Sequence, residues 1–292
     1  IEALDVAGLV PDAFKGRGLG NKFLDELRQA HALIHIVDAS GSTDSEGNPC
    51  KPGSYDPLND IDFLEKEINY WLKGIIKKSW ENIARKAQLE GEKVERLLAD
   101  QLTGLGVKES HIQSAIRKIN INTDKPSSWS DEDLYLLADY IRKRSKPMLI
   151  AFNKVDVTDK SLDGTIEEIK KRGYRVIPTS AEAELALSNA AQHNLIEYIP
   201  GDSKFTIHDR TALSEKQLHA LEYIQKHVLD VYGSTGIYRC IEESVAMLDL
   251  IVVYPVEDEH HLTDKEKRVL PDAFLVPRGS TAKDLAYKVH SD

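Results

Sequence analysis

The sequence predicts an α/β fold with a large all-helical insertion and a small α+β unit at its C-terminal end. Three observations carry that expectation. Leu33–Asp38, Met148–Phe152 and Tyr174–Pro178 are short apolar runs, partly β-branched, that read as strands. Between the first two, apolar residues recur at three- and four-residue steps, which is the period of a helix. After Asp249 two further strand-like runs are joined by a charged loop and followed by a helix.

Taken in order, Ile1–Val6 reads as the end of a buried strand, followed by a Gly-rich loop over 12–20 and a short helix over 21–30. His35 lies inside the strand Leu33–Asp38 and is expected to be a core or sheet-face histidine. Residues 41–57 are rich in Gly, Ser, Asp, Asn and Pro, the composition of a long loop. The helical block carries Ile61, Leu64, Ile68 and Leu72, then Val94, Leu98 and Leu102, then Ile112 and Ile116, then Leu134, Leu137 and Ile141. Ser130 is a good N-cap for the last set, with Asp133 as its capping-box partner. Helices over 164–172 and 214–231, strands over 249–256 and 270–276, and a helix from Thr281 complete the reading. The expected division is 1–57 and 146–200 for the α/β domain, 58–145 for the insertion, 201–245 for a helical linker region and 246–292 for a partial C-terminal domain.

Composition narrows the function classes. The chain has 292 residues, 41% hydrophobic and 29% charged, with a formal net charge of −10. An acidic balance argues against general nucleic-acid binding, which needs a basic face. No apolar run approaches the about 18 residues that cross a bilayer, and no secretory signal is visible. Cys50 and Cys240 have no partners at metal-ligand spacing, which points to free thiols in a reducing, cytoplasmic setting. The chain starts at Ile1, and its methionines are Met148 and Met247, so both termini are expected to be truncated.

Three short motifs follow strand ends. Asp5-Val6-Ala7-Gly8 fits D-x-x-G: Asp5 would hold a magnesium ion through water, and Gly8 lets a backbone N–H approach a terminal phosphate. Asn153-Lys154-Val155-Asp156 fits N-K-x-D. A carboxylate at Asp156 can accept two parallel hydrogen bonds from guanine N1–H and the 2-amino group. Adenine offers a lone pair at N1 and no 2-amino group. Asn153 can bond the other base edge, and the stem of Lys154 can cover the base. Thr179-Ser180-Ala181 is built of small residues that let the Ala181 N–H reach the base O6. Ligands of open α/β sheets bind beyond the carboxyl ends of the strands, where all three motifs sit. These features predict a P-loop NTPase-type G domain. It is partial, because no G-x-x-x-x-G-K-S/T loop occurs in the chain and that loop would precede Asp5.

The stretch from Asp5 to Pro11, followed by Gly16-Arg17-Gly18-Leu19-Gly20-Asn21-Lys22-Phe23-Leu24, resembles the Obg-related GTPases, and within them the YchF branch in its archaeal form. Val37-Asp38-Ala39-Ser40-Gly41 and the helical insertion add to the likeness. Leu270 to Ala282 resembles part of a TGS domain, a β-grasp module. The resemblance implies a cytoplasmic, magnesium-dependent nucleotide hydrolase associated with ribosomes. Relatives with a divergent base-reading motif often prefer ATP; Asn153, Lys154 and Asp156 are kept here, which predicts GTP and GDP as ligands. Many GTPases carry Gln directly after D-x-x-G to orient the attacking water. Here that position is Leu9, which predicts slow intrinsic hydrolysis, with a monovalent cation, another group or a partner completing the catalysis. Gly16, Gly18 and Gly20 fit a switch segment. Two alternatives stand beside the GTPase: a binding module whose conformation is set by nucleotide, and an ATPase.

Overall fold

The computed structural model describes residues 1–6, 26–158, 161–256, 258, 260–264, 266–269 and 272–289. They divide into two compact units, Ile1–Cys240 and Ile241–Asp292. The first is organised on a parallel sheet of order β1-β2-β3, formed by β1 (Leu33–Asp38), β2 (Met148–Asn153) and β3 (Arg175–Pro178). Val37 pairs with Phe152, and Ala151 with Ile177. The central strand is buried along Met148–Phe152. Its unbroken apolar run is what a parallel strand covered on both faces requires.

Parallel strands need a crossover connection, and here the β1-to-β2 crossover is the helical block. It contains α1 (Leu58–Glu90), α2 (Val94–Leu102), α3 (Glu109–Ile119) and α4 (Asp131–Ser145). Ile76, Leu98, Ile112, Leu137 and Ile141 form its core, and Trp80 stacks on Trp129 with ring centroids 4.8 Å apart. The first turn of α1 instead packs on the sheet, where Ile61 joins Val37, Ile150 and Phe152. Ser130 caps α4 as expected: its hydroxyl accepts from Asp133 N at 3.1 Å, and the Asp133 carboxylate accepts from Ser130 N at 2.7 Å.

A buried arginine joins block to sheet. Arg142 on α4 donates to Asn69 Oδ1 at 2.9 Å, Glu65 Oε1 at 2.7 Å and the Tyr174 hydroxyl at 3.1 Å, and its side chain is 1% exposed.

Between β2 and β3 runs α5 (Asp163–Lys171), whose Ile169 is fully buried. Beyond β3 come α6 (Ala181–Gln192), the antiparallel pair β4 (Ile196–Tyr198) and β5 (Phe205–Ile207), and α7 (Glu215–Ile224). A π-helical turn, Gln225–Leu229, continues α7 into Asp230–Tyr232. Leu187, Ile196, Leu221, Val228 and Leu229 make the core of this part. The helix α8 (Ile237–Met247) follows. In the second unit, β6 (Leu250–Val253) pairs antiparallel with β7 (Phe274–Pro277), and α9 (Ala282–Val289) begins after Thr281.

Several expectations need correction. Residues 1–6 form no strand, and 1–5 are exposed, Ile1 at 85% and Leu4 at 48%. A strand needs a ladder partner as well as apolar composition, and among the described residues β1 pairs only with β2. The C-terminal strands are shorter than expected, because pairing ends at Val253 and begins at Phe274. The helix α6 and the strands β4 and β5 are additions to the elements expected from sequence. The Gly-rich loop and most of the helix expected over 21–30 lie outside the described residues.

Candidate functional site

The carboxyl ends of β1, β2 and β3 bring three segments together: Asp38–Thr43, Asn153–Asp156 and Thr179–Ala181. Their backbones are cross-tied by Ala39 N to Asn153 O at 2.8 Å, Thr179 N to Phe152 O at 2.9 Å and Val155 N to Thr179 O at 3.3 Å. Val155, 4% exposed, anchors the second loop in the core.

Asn153 braces the third loop. Its Oδ1 accepts from the backbone N–H of Ala181 at 3.0 Å and from Thr179 Oγ1 at 3.4 Å. The motifs alone assign both Asn153 and the Ala181 N–H to a base; here they meet each other, so they hold the two loops at a fixed separation. Ser180 starts the helix that follows. It is 1% exposed, and its hydroxyl caps α6 by accepting from Ala183 N at 3.3 Å.

Lys154 takes a left-handed backbone with φ 64°, a conformation that costs a non-glycine residue about 1 kcal/mol or more. Its ammonium donates to Asp38 Oδ2 at 2.7 Å and to Thr43 Oγ1 at 2.9 Å. Asp38 also accepts from Ser40 N at 3.0 Å, Ser40 Oγ at 2.6 Å, Ser42 Oγ at 3.0 Å and Thr43 Oγ1 at 2.6 Å. Partial burial alone would raise the Asp38 carboxyl pKa; the hydrogen bonds from Lys154, Ser40, Thr43 and Ser42 outweigh it and hold the group well below the usual carboxylate range. Asp38 is absent from the site that the motifs define, although its place at the end of an apolar strand, followed by Ser40, Ser42 and Thr43, is a signal that could have found it.

Asp156 is half-buried, and its carboxylate makes no hydrogen bond or ion pair to a described residue. Its backbone carbonyl accepts from the Tyr223 hydroxyl at 2.7 Å. A carboxylate without a partner among the described residues, on a braced loop, can accept a pair of donors from a planar ligand.

Asp5 is exposed. Magnesium is held by one or two carboxylates together with phosphate oxygens and water, so a lone Asp5 is chemically sufficient on the protein side. No cluster of three or more metal-ligating side chains occurs among the described residues. Gly8, Leu9 and Gly16–Leu24 lie outside the described residues. His35 is half-buried on β1, and burial lowers its pKa to about 4, so it is neutral near pH 7. His260 and His261 sit on an exposed stretch, where His261 Nδ1 meets the Asp258 carboxylate at 2.8 Å. Among the described residues no helix is long and apolar enough to cross a membrane.

A parallel sheet with a helical insertion and three loops gathered at its strand ends defines an α/β domain of the G-domain class. Residues 151–258 match the family described as Obg-like GTPase YGR210-like, G4 motif-containing domain. A GTP-binding protein of Methanocaldococcus jannaschii is 50% identical over all of this chain and 72% of its own length. The crystal structure of a GTP-binding protein from Pyrococcus horikoshii superposes with a TM-score of 0.73 at 45% identity, covering 92% of this chain and 71% of the other. A protein of Buchnera aphidicola named ribosome-binding ATPase YchF is 24% identical over all of this chain and 67% of its own length. The chain belongs to the Obg-related P-loop GTPases, in the YchF branch and of the archaeal type.

Proposed function

We propose that this chain is the base-reading part of a guanine-nucleotide switch that hydrolyses GTP slowly. The observation that carries the reading is Asp156. Its carboxylate stands beyond β2 with no hydrogen bond or ion pair to a described residue, on a loop that Asn153 ties to Ala181. Guanine presents two adjacent donors, N1–H and the 2-amino group, to such a carboxylate. Adenine would set a lone pair against it. Leaving a half-buried acceptor unsatisfied costs about 1–3 kcal/mol, enough to separate the two bases. The GTP-binding names of the M. jannaschii and P. horikoshii relatives support the same choice.

The remaining roles belong to this proposal. Asp5 would hold magnesium through water, and Gly8 would give its N–H to the terminal phosphate; the ion, when bound, would neutralise charge on the phosphates. Leu9 cannot orient water, so turnover is slow and is completed by a monovalent cation, another group or a partner. The Buchnera relative's name supports a ribosome as that partner. Residues 246–292 are assigned to a TGS domain and 58–145 to the insertion. Cytoplasmic residence is supported by two cysteines outside any disulfide, Cys50 and the buried Cys240. The same Buchnera name favours a second reading, an ATPase.

Calorimetry on the full encoded protein with magnesium tests the choice. Tighter binding of GDP than ADP is expected. Equal or tighter ADP binding would move the protein to the ATPase reading.

A further inference from the structure

The segment 215–236 touches both base-reading loops, at two separate points. In the last turn of α7, the Tyr223 hydroxyl donates to the backbone carbonyl of Asp156 at 2.7 Å. Tyr223 is 41% exposed, and its ring stacks on His227 one turn later, with centroids 4.3 Å apart. Near its end, the carbonyl of Thr235 accepts the N–H of Ser180 at 3.0 Å. Thr235 is fully buried, and its hydroxyl donates to the Glu184 carboxylate, which also accepts from the Tyr198 hydroxyl at 2.9 Å. Glu184 is itself buried on α6, the helix that Ser180 caps.

Gly236 closes the contact. It has φ +80°, and a Cβ placed there would overlap Pro178 O and lie 2.9 Å from Thr179 Cγ2. The backbone of this segment therefore runs directly against the chain entering Thr179–Ala181, at a distance only glycine allows. Between the two contacts lies the π-helical turn Gln225–Leu229, whose Val228 and Leu229 are buried in the same core cluster as Leu187 of α6. Turns of this kind recur at functional sites. The segment is thus one packed body with a hydrogen bond to each loop.

We propose that segment 215–236 is a clamp that sets the distance between the two base-reading loops, with Tyr223, Thr235 and Gly236 as positioning residues for guanine discrimination. None of the three touches the base. Tyr223 fixes the peptide of Asp156 and so aims its carboxylate; Thr235 and Gly236 fix the loop that carries Ala181. Recognition groups must be held to within about 0.5 Å to act together, and the clamp adds to the single hydrogen bond by which Asn153 already ties Ala181. The inference rests on the proposal that Asp156 reads guanine.

The test compares GDP with inosine diphosphate, which differs only by lacking the 2-amino group. Phosphate and ribose contacts are common to both, so the affinity ratio isolates base reading. In the full encoded protein, Tyr223→Phe keeps the ring and removes the hydroxyl. The GDP-to-IDP ratio is expected to fall by about threefold to tenfold, the size of one neutral hydrogen bond, with the melting temperature held. Gly236→Ala is expected to lower the ratio further; Tyr223→Phe, at an exposed position, serves if that variant does not fold. Asp156→Ala is the control. If it abolishes the discrimination and Tyr223→Phe leaves the ratio unchanged, the clamp is wrong and the base reading stands. If Asp156→Ala leaves the ratio unchanged, both fail.

Discussion

The side-chain oxygen of Asn153 accepts the backbone N–H of Ala181 at 3.0 Å, so one hydrogen bond joins the loop after β2 to the loop after β3. Asn153→Ala removes that tie while leaving the carboxylate of Asp156 in place. A single neutral hydrogen bond contributes about 0.5–1.5 kcal/mol. Calorimetry should therefore show GDP binding weakened by about threefold to tenfold, with a small change in melting temperature. Unchanged affinity would mean the tie does not hold the site.

Asp38 organises the first loop and holds Lys154. Asp38→Ala removes an acceptor shared by Ser40, Ser42, Thr43 and the Lys154 ammonium. Urea unfolding at pH 7 should show a loss of about 1–3 kcal/mol. The Asp38 pKa is depressed in the folded state. Its stabilisation is thus present above the unfolded value near 3.8 and is lost as pH falls below it. The Ala variant should accordingly lose less stability than the parent in that acid range.

His35 behaves differently. Its pKa falls from 6.5 to about 4 through burial, so the unfolded chain takes up a proton before the folded one does. Stability from this residue is intact above pH 6.5 and declines as pH drops toward 4. The full decline is on the order of a few kcal/mol, because each tenfold loss of proton affinity on folding is worth about 1.4 kcal/mol. Unfolding free energies measured between these pH values should flatten in His35→Leu; an unchanged slope would contradict the burial account.

Arg142 is buried and bonded to Asn69, Glu65 and Tyr174. Removing one partner of such a network leaves the others without compensation, at about 3–5 kcal/mol. Arg142→Ala should lower unfolding free energy by that amount in denaturant titrations. A loss under about 1 kcal/mol, the size of a surface ion pair, would show that the network contributes little.

How far the fold is legible in the sequence depends on the kind of signal. Met148–Phe152 is legible because a central parallel strand is apolar throughout. The helical block is legible because apolar residues repeat at helical spacing within each of its helices, and Ile76, Leu98, Ile112 and Leu137, one from each, share one core. Helix α6 escapes because it is rich in alanine, which blurs the contrast between its faces. The strands β4 and β5 have three residues each, too few for a period to show. Ile1–Val6 misleads because composition cannot reveal whether a pairing partner is present. The site motifs themselves are visible, but their mutual bracing is not. That Asn153 meets Ala181, that Lys154 turns to Asp38 and that Tyr223 reaches Asp156 are facts of distance between segments far apart in sequence.

The central claim is that the Asp156 carboxylate reads guanine, and Asp156→Asn tests it most directly. An amide at this position offers one donor and one acceptor instead of two acceptors. Xanthine, with a carbonyl where guanine has the 2-amino group, matches that pair. Binding of GDP and xanthosine diphosphate should be measured for the parent and the variant in the full encoded protein. The account expects the parent to favour GDP and the variant to favour xanthosine diphosphate. A variant that keeps the parent's preference would contradict the assignment.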